Sequence, residues 1–220
     1  MTSSYSVTKQ NKVRQLKEKS SYEKSTVHQI LDAGLVAHVA FIQDGSPVVV
    51  PMNYGREGET LFLHGARKAR VIRLLEKTER ACVNVTLLDG IVLARSTFNS
   101  SMNYRSVMLF GRPRILQTRE EKLHGMRMIS EHIIPGRWAE VRDSHENEIK
   151  MTGVIAMQID SASAKISSGI PEDEDEDYSI PIWAGVLPVT STLGQLQRDD
   201  RVLPGVEPSD ALRSLQDRIL

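Results

Sequence analysis

The chain reads as a mainly β protein with flanking helices, an α+β antiparallel barrel that is closed or partly closed. Two observations predict it. Short apolar, β-branched segments recur with turn signals between them, and nothing alternates strand with helix as a doubly wound parallel sheet requires. Nor does any GxGxxG or Walker-type loop occur in the 220 residues.

Residues 1–20 are rich in Ser, Lys, Gln and Asn. They hold too little apolar surface to offset the entropy of ordering, and are expected to stay mobile unless a partner holds them. Ser25 is placed to cap a short amphipathic helix carrying Val27, Ile30 and Leu31 on one face, with Gly34 at its end. Leu35–Ile42 is a strand, broken only by His38, which fits a hydrogen-bonded strand or core histidine. Gln43-Asp44-Gly45-Ser46 turns it into the next strand.

The stretch from Val48 to Arg70, VVVPMNYGREGETLFLHGARKAR, organises the rest. Val48–Tyr54 is a strand in which Pro51 cannot donate to a ladder, so it lies at an edge or is bulged there. Arg56-Glu57-Gly58-Glu59 is a turn, and Thr60–Leu63 returns as the second strand of a hairpin. His64-Gly65 then breaks the pattern. A helix is expected from near Ala66 to Lys77, with Val71, Leu74 and Leu75 on its buried face. Its first turns carry Arg67, Lys68 and Arg70, where the helix dipole ordinarily favours acids. The bland reading is a solvated basic face. The glycine before it, which lets backbone N–H groups approach an anion, favours a phosphate site.

Ala81–Leu88 is a strand, Asp89-Gly90 a two-residue turn, and Ile91–Phe98 the return strand. Asn99–Asn103 is a polar loop, and Tyr104–Leu116 a long strand that Gly111 and Pro113 would kink or bulge. Thr118 with Glu121 forms a capping box for a helix presenting Leu123, Met126 and Ile129 up to Pro135-Gly136. A second helical piece is expected over Trp138–Lys150, then strands over Thr152–Ile159 and Ala164–Ile170. The acidic run Glu172–Asp177 reads as solvated and mobile, because it lacks the glycine and ligand spacing of a calcium loop. The expected domain spans residues 21–190. Residues 191–220 form an extension whose weakly amphipathic stretch, Ala211–Leu220, could pack on the barrel, bind a partner subunit or stay loose.

Composition narrows the function. Lys plus Arg and Asp plus Glu both number 28, so no net field recruits nucleic acid or an anionic membrane. The one cysteine, Cys82, cannot form an internal disulfide, which fits a reducing compartment or a buried small side chain. No apolar run approaches the ~18 residues of a membrane span, and no signal-peptide pattern is present. The expected setting is therefore cytoplasmic. No HExxH, GxSxG or paired-cysteine motif occurs, and the six histidines show no ligand spacing, so no metal is expected. Redox chemistry without an acid–base cluster commonly falls to a cofactor.

Three blocks carry a family resemblance: the strand-PMNYG-turn-strand-HGA-helix unit, LLDGIVLARSTFNSSMNYRSVMLFG (Leu87–Gly111) and PIWAGVLP (Pro181–Pro188). In that order they resemble the pyridoxamine 5′-phosphate oxidase-like FMN-binding split β-barrels, in the flavin-nucleotide-binding and nitroimidazole-resistance branch. The resemblance implies an FMN cofactor, a homodimer with flavin sites at the subunit interface, and oxidoreductase chemistry on a small molecule. A non-catalytic flavin or haem carrier is the alternative. By the same resemblance, Val50, Pro51, Met52 and Asn53 run along the isoalloxazine ring. His64, Gly65, Ala66 and Arg70, helped by Arg67 and Lys68, cradle ribityl and phosphate. Tyr104, Arg105 and Ser106 reach the cofactor, and Trp183 covers it. The chain departs from the pattern at Ala69, where the family often has a hydroxyl, and at Lys165-Ile166-Ser167, which lacks an arginine.

Overall fold

The computed structural model describes residues 3–219 and is mainly antiparallel β. The strands are β1 (Ser20–Ser21), β2 (Ala37–Gln43), β3 (Ser46–Met52), β4 (Tyr54–Glu57), β5 (Thr60–Ala66), β6 (Ala81–Leu93), β7 (Ser101–Ile115), β8 (Thr152–Ser167) and β9 (Gly185–Pro188). The helices are α1 (Lys24–Ala33), α2 (Arg70–Leu75), α3 (Arg119–Ile133), α4 (Glu146–Met151) and α5 (Asp210–Arg213). The hydrogen-bonded order is β3-β2-β6-β7-β8-β5-β4, with β1 beside β8 and β9 beside β6.

Contacts divide the chain into two compact units. One contains the segments up to Gly34, Asn84–Leu109 and Ser161–Ser191; the other contains Leu35–Val83, Phe110–Asp160 and the segment from Thr192 onward. The long strands β6, β7 and β8 each contribute residues to both.

In the first unit, residues 3–19 form only one short 3₁₀ turn, Lys17–Lys19, yet two of them are deeply buried. Tyr5 hydrogen-bonds His28, and the Asn11 amide donates to the carbonyls of Ser6 and Ala162. The Ser25 cap is not found: α1 begins at Lys24 after Glu23, which makes no side-chain cap, while Gly34 closes the helix with its N–H on Ile30 O. The expected turn at Asp89-Gly90 is absent as well, and β6 runs through it. Gly90 lies where β9 crosses, and an added Cβ would stand 3.0 Å from Val186 Cγ1.

In the second unit, Asp44 and Gly45 both take positive φ (50° and 79°) and turn β2 into β3, as the Asp-Gly signal predicts. Val48–Tyr54 is not one strand. The chain leaves β2 after Met52, passes Asn53 and joins β5 as β4. Tyr54, fully buried with its ring centroid 4.6 Å from that of His132, and Gly55, pressed against the Met128 backbone of α3, belong under α3. The α3 capping box forms as predicted, with Thr118 accepting from the Glu121 N–H and Glu121 accepting from the Thr118 N–H. Ile129 of this helix packs with Phe62, Leu116, Val154 and Ala156 beneath it. The helix expected over Trp138–Lys150 is only a 3₁₀ turn, Arg137–Ala139, and α4. The two strands expected after it start in a single strand, β8, which here covers Thr152–Asp160. The end of the chain adds α5, whose Ala211 Cβ meets the Gly136 turn. Among the described residues no helix is long and apolar enough to cross a membrane.

Candidate functional site

The basic cluster sits differently from the expected helix start. His64-Gly65 is not a break: β5 continues through both to Ala66, paired with β8 at Val154, Gly153 and Thr152. The helix begins only at Arg70, with Ala69 as an N-cap that offers no side-chain acceptor. Gly65 is required by packing. It faces Gly153 across the ladder, and an added Cβ would stand 3.2 Å from Ile72 Cγ1 at the first and 2.5 Å from Ile72 Cγ2 at the second. Two glycines thus admit the buried side chain that fixes α2 to the sheet.

The three cations of this turn differ. The Arg67 N–H donates to Met151 O at 2.7 Å, and its guanidinium is bound to Glu76 at 3.0 Å. Lys68 and Arg70 are exposed, and their side chains have no hydrogen bond or ion pair among the described residues. His64 is separated from them by the sheet. Directly opposed residues share a face, so His64 stands with Phe62 and Val154 on the α3 side, whereas Gly65 and Gly153 face Ile72. Burial lowers the His64 pKa, and its Nδ1 is buried with no partner among the described residues.

Val50, Pro51 and Met52 end β3, and Asn53 follows it. Because β3 terminates the strand order, one side of its backbone has no strand beside it among the described residues, which is the edge position Pro51 predicts. Pro51 and Asn53 are exposed, and Met52 is buried.

Tyr104, Arg105, Ser106 and Trp183 belong to the other unit. Arg105 is held in a fork by Asp89, with Nη2 donating at 2.7 Å and Nε at 3.0 Å. That hydrogen bond raises its pKa further. Asp89, read in the sequence as a turn residue, is therefore the group that aims Arg105. Trp183 is 71% exposed, its ring lying over Gly185.

The acidic run is not wholly solvated either. The Asp173 carboxylate is fully shielded and accepts from both the Arg95 backbone N–H and the Arg95 guanidinium at 2.9 Å. Burial pushes the Asp173 carboxyl up, but the Arg95 hydrogen bonds outweigh it and leave the pKa below the ordinary value. The guanidinium also lies 4.8 Å from the Tyr178 ring centroid. With β9 paired to β6 on its far side, this clamp fastens the segment that carries Trp183 at both ends. An arginine and an aspartate 78 positions apart gave no sequence signal.

Cys82 is half-buried and its thiol pKa is raised by burial. Among the described residues no three His, Cys, Asp or Glu side chains converge to hold a metal.

The sequence profile described as pyridoxamine 5′-phosphate oxidase matches residues 23–166. The chain belongs to the pyridoxamine 5′-phosphate oxidase family. Its antiparallel sheet is the split β-barrel of that family, as the three sequence blocks indicated. Among solved structures, the flavocytochrome Anf3 from Azotobacter vinelandii is 36% identical, with a TM-score of 0.90 over 95% of this chain and 97% of that one. The FAD and haem binding protein from Mycobacterium smegmatis is also 36% identical, with a TM-score of 0.86 over 90% and 98%. A candidate 5-nitroimidazole antibiotic resistance protein from Bacteroides thetaiotaomicron is 25% identical, with a TM-score of 0.56 over 67% and 86%. A comparison with curated proteins returned no match.

Proposed function

We propose that this member of the family binds a flavin nucleotide, FMN in the simplest case, and acts as an oxidoreductase on a small molecule. The observation that carries the reading is the pair of uncommitted cations, Lys68 and Arg70, at the turn after β5, in a chain 36% identical to two flavin proteins. The third cation of that turn, Arg67, is held by Glu76, whereas these two are available to phosphate oxygens. A guanidinium can meet two such oxygens at once, and an ammonium acts as a point charge. Arg70 is accordingly the main clamp and Lys68 the helper.

The other expected residues, each taken within its own unit, offer groups that a flavin can use. The free side of β3 at Val50, Pro51 and Met52, with Asn53 after it, offers backbone groups to a polar ring edge, and Asp89 presents Arg105 as a fixed donor. Trp183, exposed on a segment tied down by Arg95 and Asp173, supplies an aromatic face. A bound flavin would contribute reversible electron transfer, and the protein would contribute position and charge. Of the expected cradle, His64 serves through its backbone, its side chain being on the α3 face. The site is completed in a homodimer, with the strand surface around Tyr104–Phe110 as interface, in a cytoplasmic setting. Sedimentation giving a monomer that still binds flavin stoichiometrically refutes that assembly.

A second reading, a carrier or electron-transfer protein holding FAD or haem without substrate turnover, is favoured by the flavocytochrome and the FAD and haem binding protein. Fold alone does not decide between them. Steady-state reduction by NADH or NADPH coupled to consumption of one acceptor is expected for the enzyme. Reduced bound flavin that no added acceptor reoxidises faster than air would establish the carrier.

A further inference from the structure

Outside those residues, the outer side of α3 and the loop after it enclose a cavity of about 490 Å³. That volume lies within the range of small-molecule sites. The loop is fixed at both ends. The Glu131 carboxylate accepts from the N–H groups of Gly136 and Trp138 at 2.7 and 3.2 Å. At the far end Arg142 donates to both oxygens of Glu148, at 2.6 and 3.0 Å, and Glu148 also accepts from the His145 N–H. The walls are thus set before any ligand arrives.

Charge selects what could occupy it. Three arginines line the cavity, and two are committed: Arg142 to Glu148, and Arg119 to Glu146 at 2.8 Å, with Asp143 and Glu120 adding to the field on Arg119. His124 is engaged by Glu57 at 2.9 Å. The side chain of Arg127, one helical turn beyond Leu123, has no hydrogen bond or ion pair among the described residues. One uncommitted guanidinium matches one carboxylate bidentately. A dianion would bring its second charge beside Asp143 and the two glutamates. Trp138, half-buried and without a side-chain hydrogen bond among the described residues, lies with Leu123 and Val141 on the apolar wall.

We propose that this cavity binds a small aromatic monocarboxylate, with Arg127 taking the carboxylate and Trp138, Leu123 and Val141 taking the ring. The site shares no residue with the flavin reading and does not depend on it.

Calorimetric titration of the full-length protein with 3-phenylpropionate tests this, with 3-phenylpropan-1-ol and propionate as partners lacking the charge or the ring. One site per chain is expected for the acid, with each partial probe at least about tenfold weaker. Arg127→Gln is expected to weaken the acid about tenfold and leave the alcohol unchanged. Arg127→Lys, which keeps the charge but not the fork, falls between. Arg127 is exposed and its side chain is unpaired among the described residues, so an unaltered melting temperature in these variants shows that the fold is intact. No binding of the acid, equal affinity for acid and alcohol, propionate binding as tightly as the acid, or an indifferent Arg127→Gln each overturns the proposal. Flavin content is read in the same samples, and its loss would count against the flavin reading alone.

Discussion

Arg70→Ala separates a binding role from a structural one because the two predict opposite signs. Arg70 is exposed, forms no ion pair or hydrogen bond among the described residues, and opens a helix whose first turn contains no acid. Its charge opposes the positive end of the helix dipole, an effect of about 0.3–1 kcal/mol at an exposed terminus. Removing it should leave the cofactor-free protein as stable as wild type, or more stable by up to about 1 kcal/mol. Binding should move the other way. Loss of a charge-assisted phosphate contact costs about 1.5–3 kcal/mol, or roughly ten- to a hundredfold in affinity for FMN. Riboflavin, which has no phosphate, should bind almost unchanged. Fluorescence-quench titrations with the two ligands, alongside urea unfolding of the cofactor-free form, provide the three readings. Equal losses for FMN and riboflavin would refute the phosphate role. No loss for either would move the phosphate elsewhere and leave Arg70 a solvated charge.

Three further outcomes follow from the same geometry. Ala69 already has the extended backbone of an N-cap, so Ala69→Ser should raise stability in urea by about 1 kcal/mol; a shift in the destabilising direction would mean that α2 starts elsewhere. Gly55→Ala should cost about 1–3 kcal/mol, because a Cβ there meets the Met128 backbone of α3, and wild-type stability would show that α3 does not approach β4 so closely. Glu121 and Glu148 have pKa values lowered to about 2, chiefly by hydrogen bonds from Arg114 and Arg142 and then by backbone N–H groups. Groups lowered on folding stabilise the protein above their unfolded pKa, and that stabilisation is lost as pH falls through the folded value. Stability should therefore decline from the ordinary carboxylate range toward about pH 2, and the Glu121→Gln, Glu148→Gln double variant should show a flatter decline.

The features legible in the sequence were those set by neighbours along the chain. The Asp44-Gly45 turn, the Thr118 capping box and the edge placement of Pro51 each follow from backbone chemistry within a few residues. The failures arose where distant contacts override local signals. Asp89-Gly90 has the composition of a turn, but the pairing of β9 with β6 and the Arg105 fork hold it extended. His64-Gly65 resembles a break before a helix, yet the glycine serves Ile72, three residues of turn separate Ala66 from Arg70, and the imidazole points to the other face. Tyr54 was joined to the wrong strand because alternation alone cannot show that α3 covers it. For the candidate site, the sequence put Arg67, Lys68 and Arg70 together in the first turns of a helix, whereas the helix begins only at Arg70, and nothing local separates Arg67, whose partner, Glu76, lies nine positions on, from the other two. The Arg95–Asp173–Tyr178 clamp joins segments with no periodic relation, so only the folded chain brings it into view.

The most direct test of a flavin-binding role is the absorption spectrum of freshly purified protein, followed by release and mass analysis of whatever is bound. The two visible and near-ultraviolet bands of an oxidised flavin, with FMN or FAD released at about one per chain, are the predicted result. Protein that is colourless and takes up neither nucleotide at micromolar concentration would contradict the account.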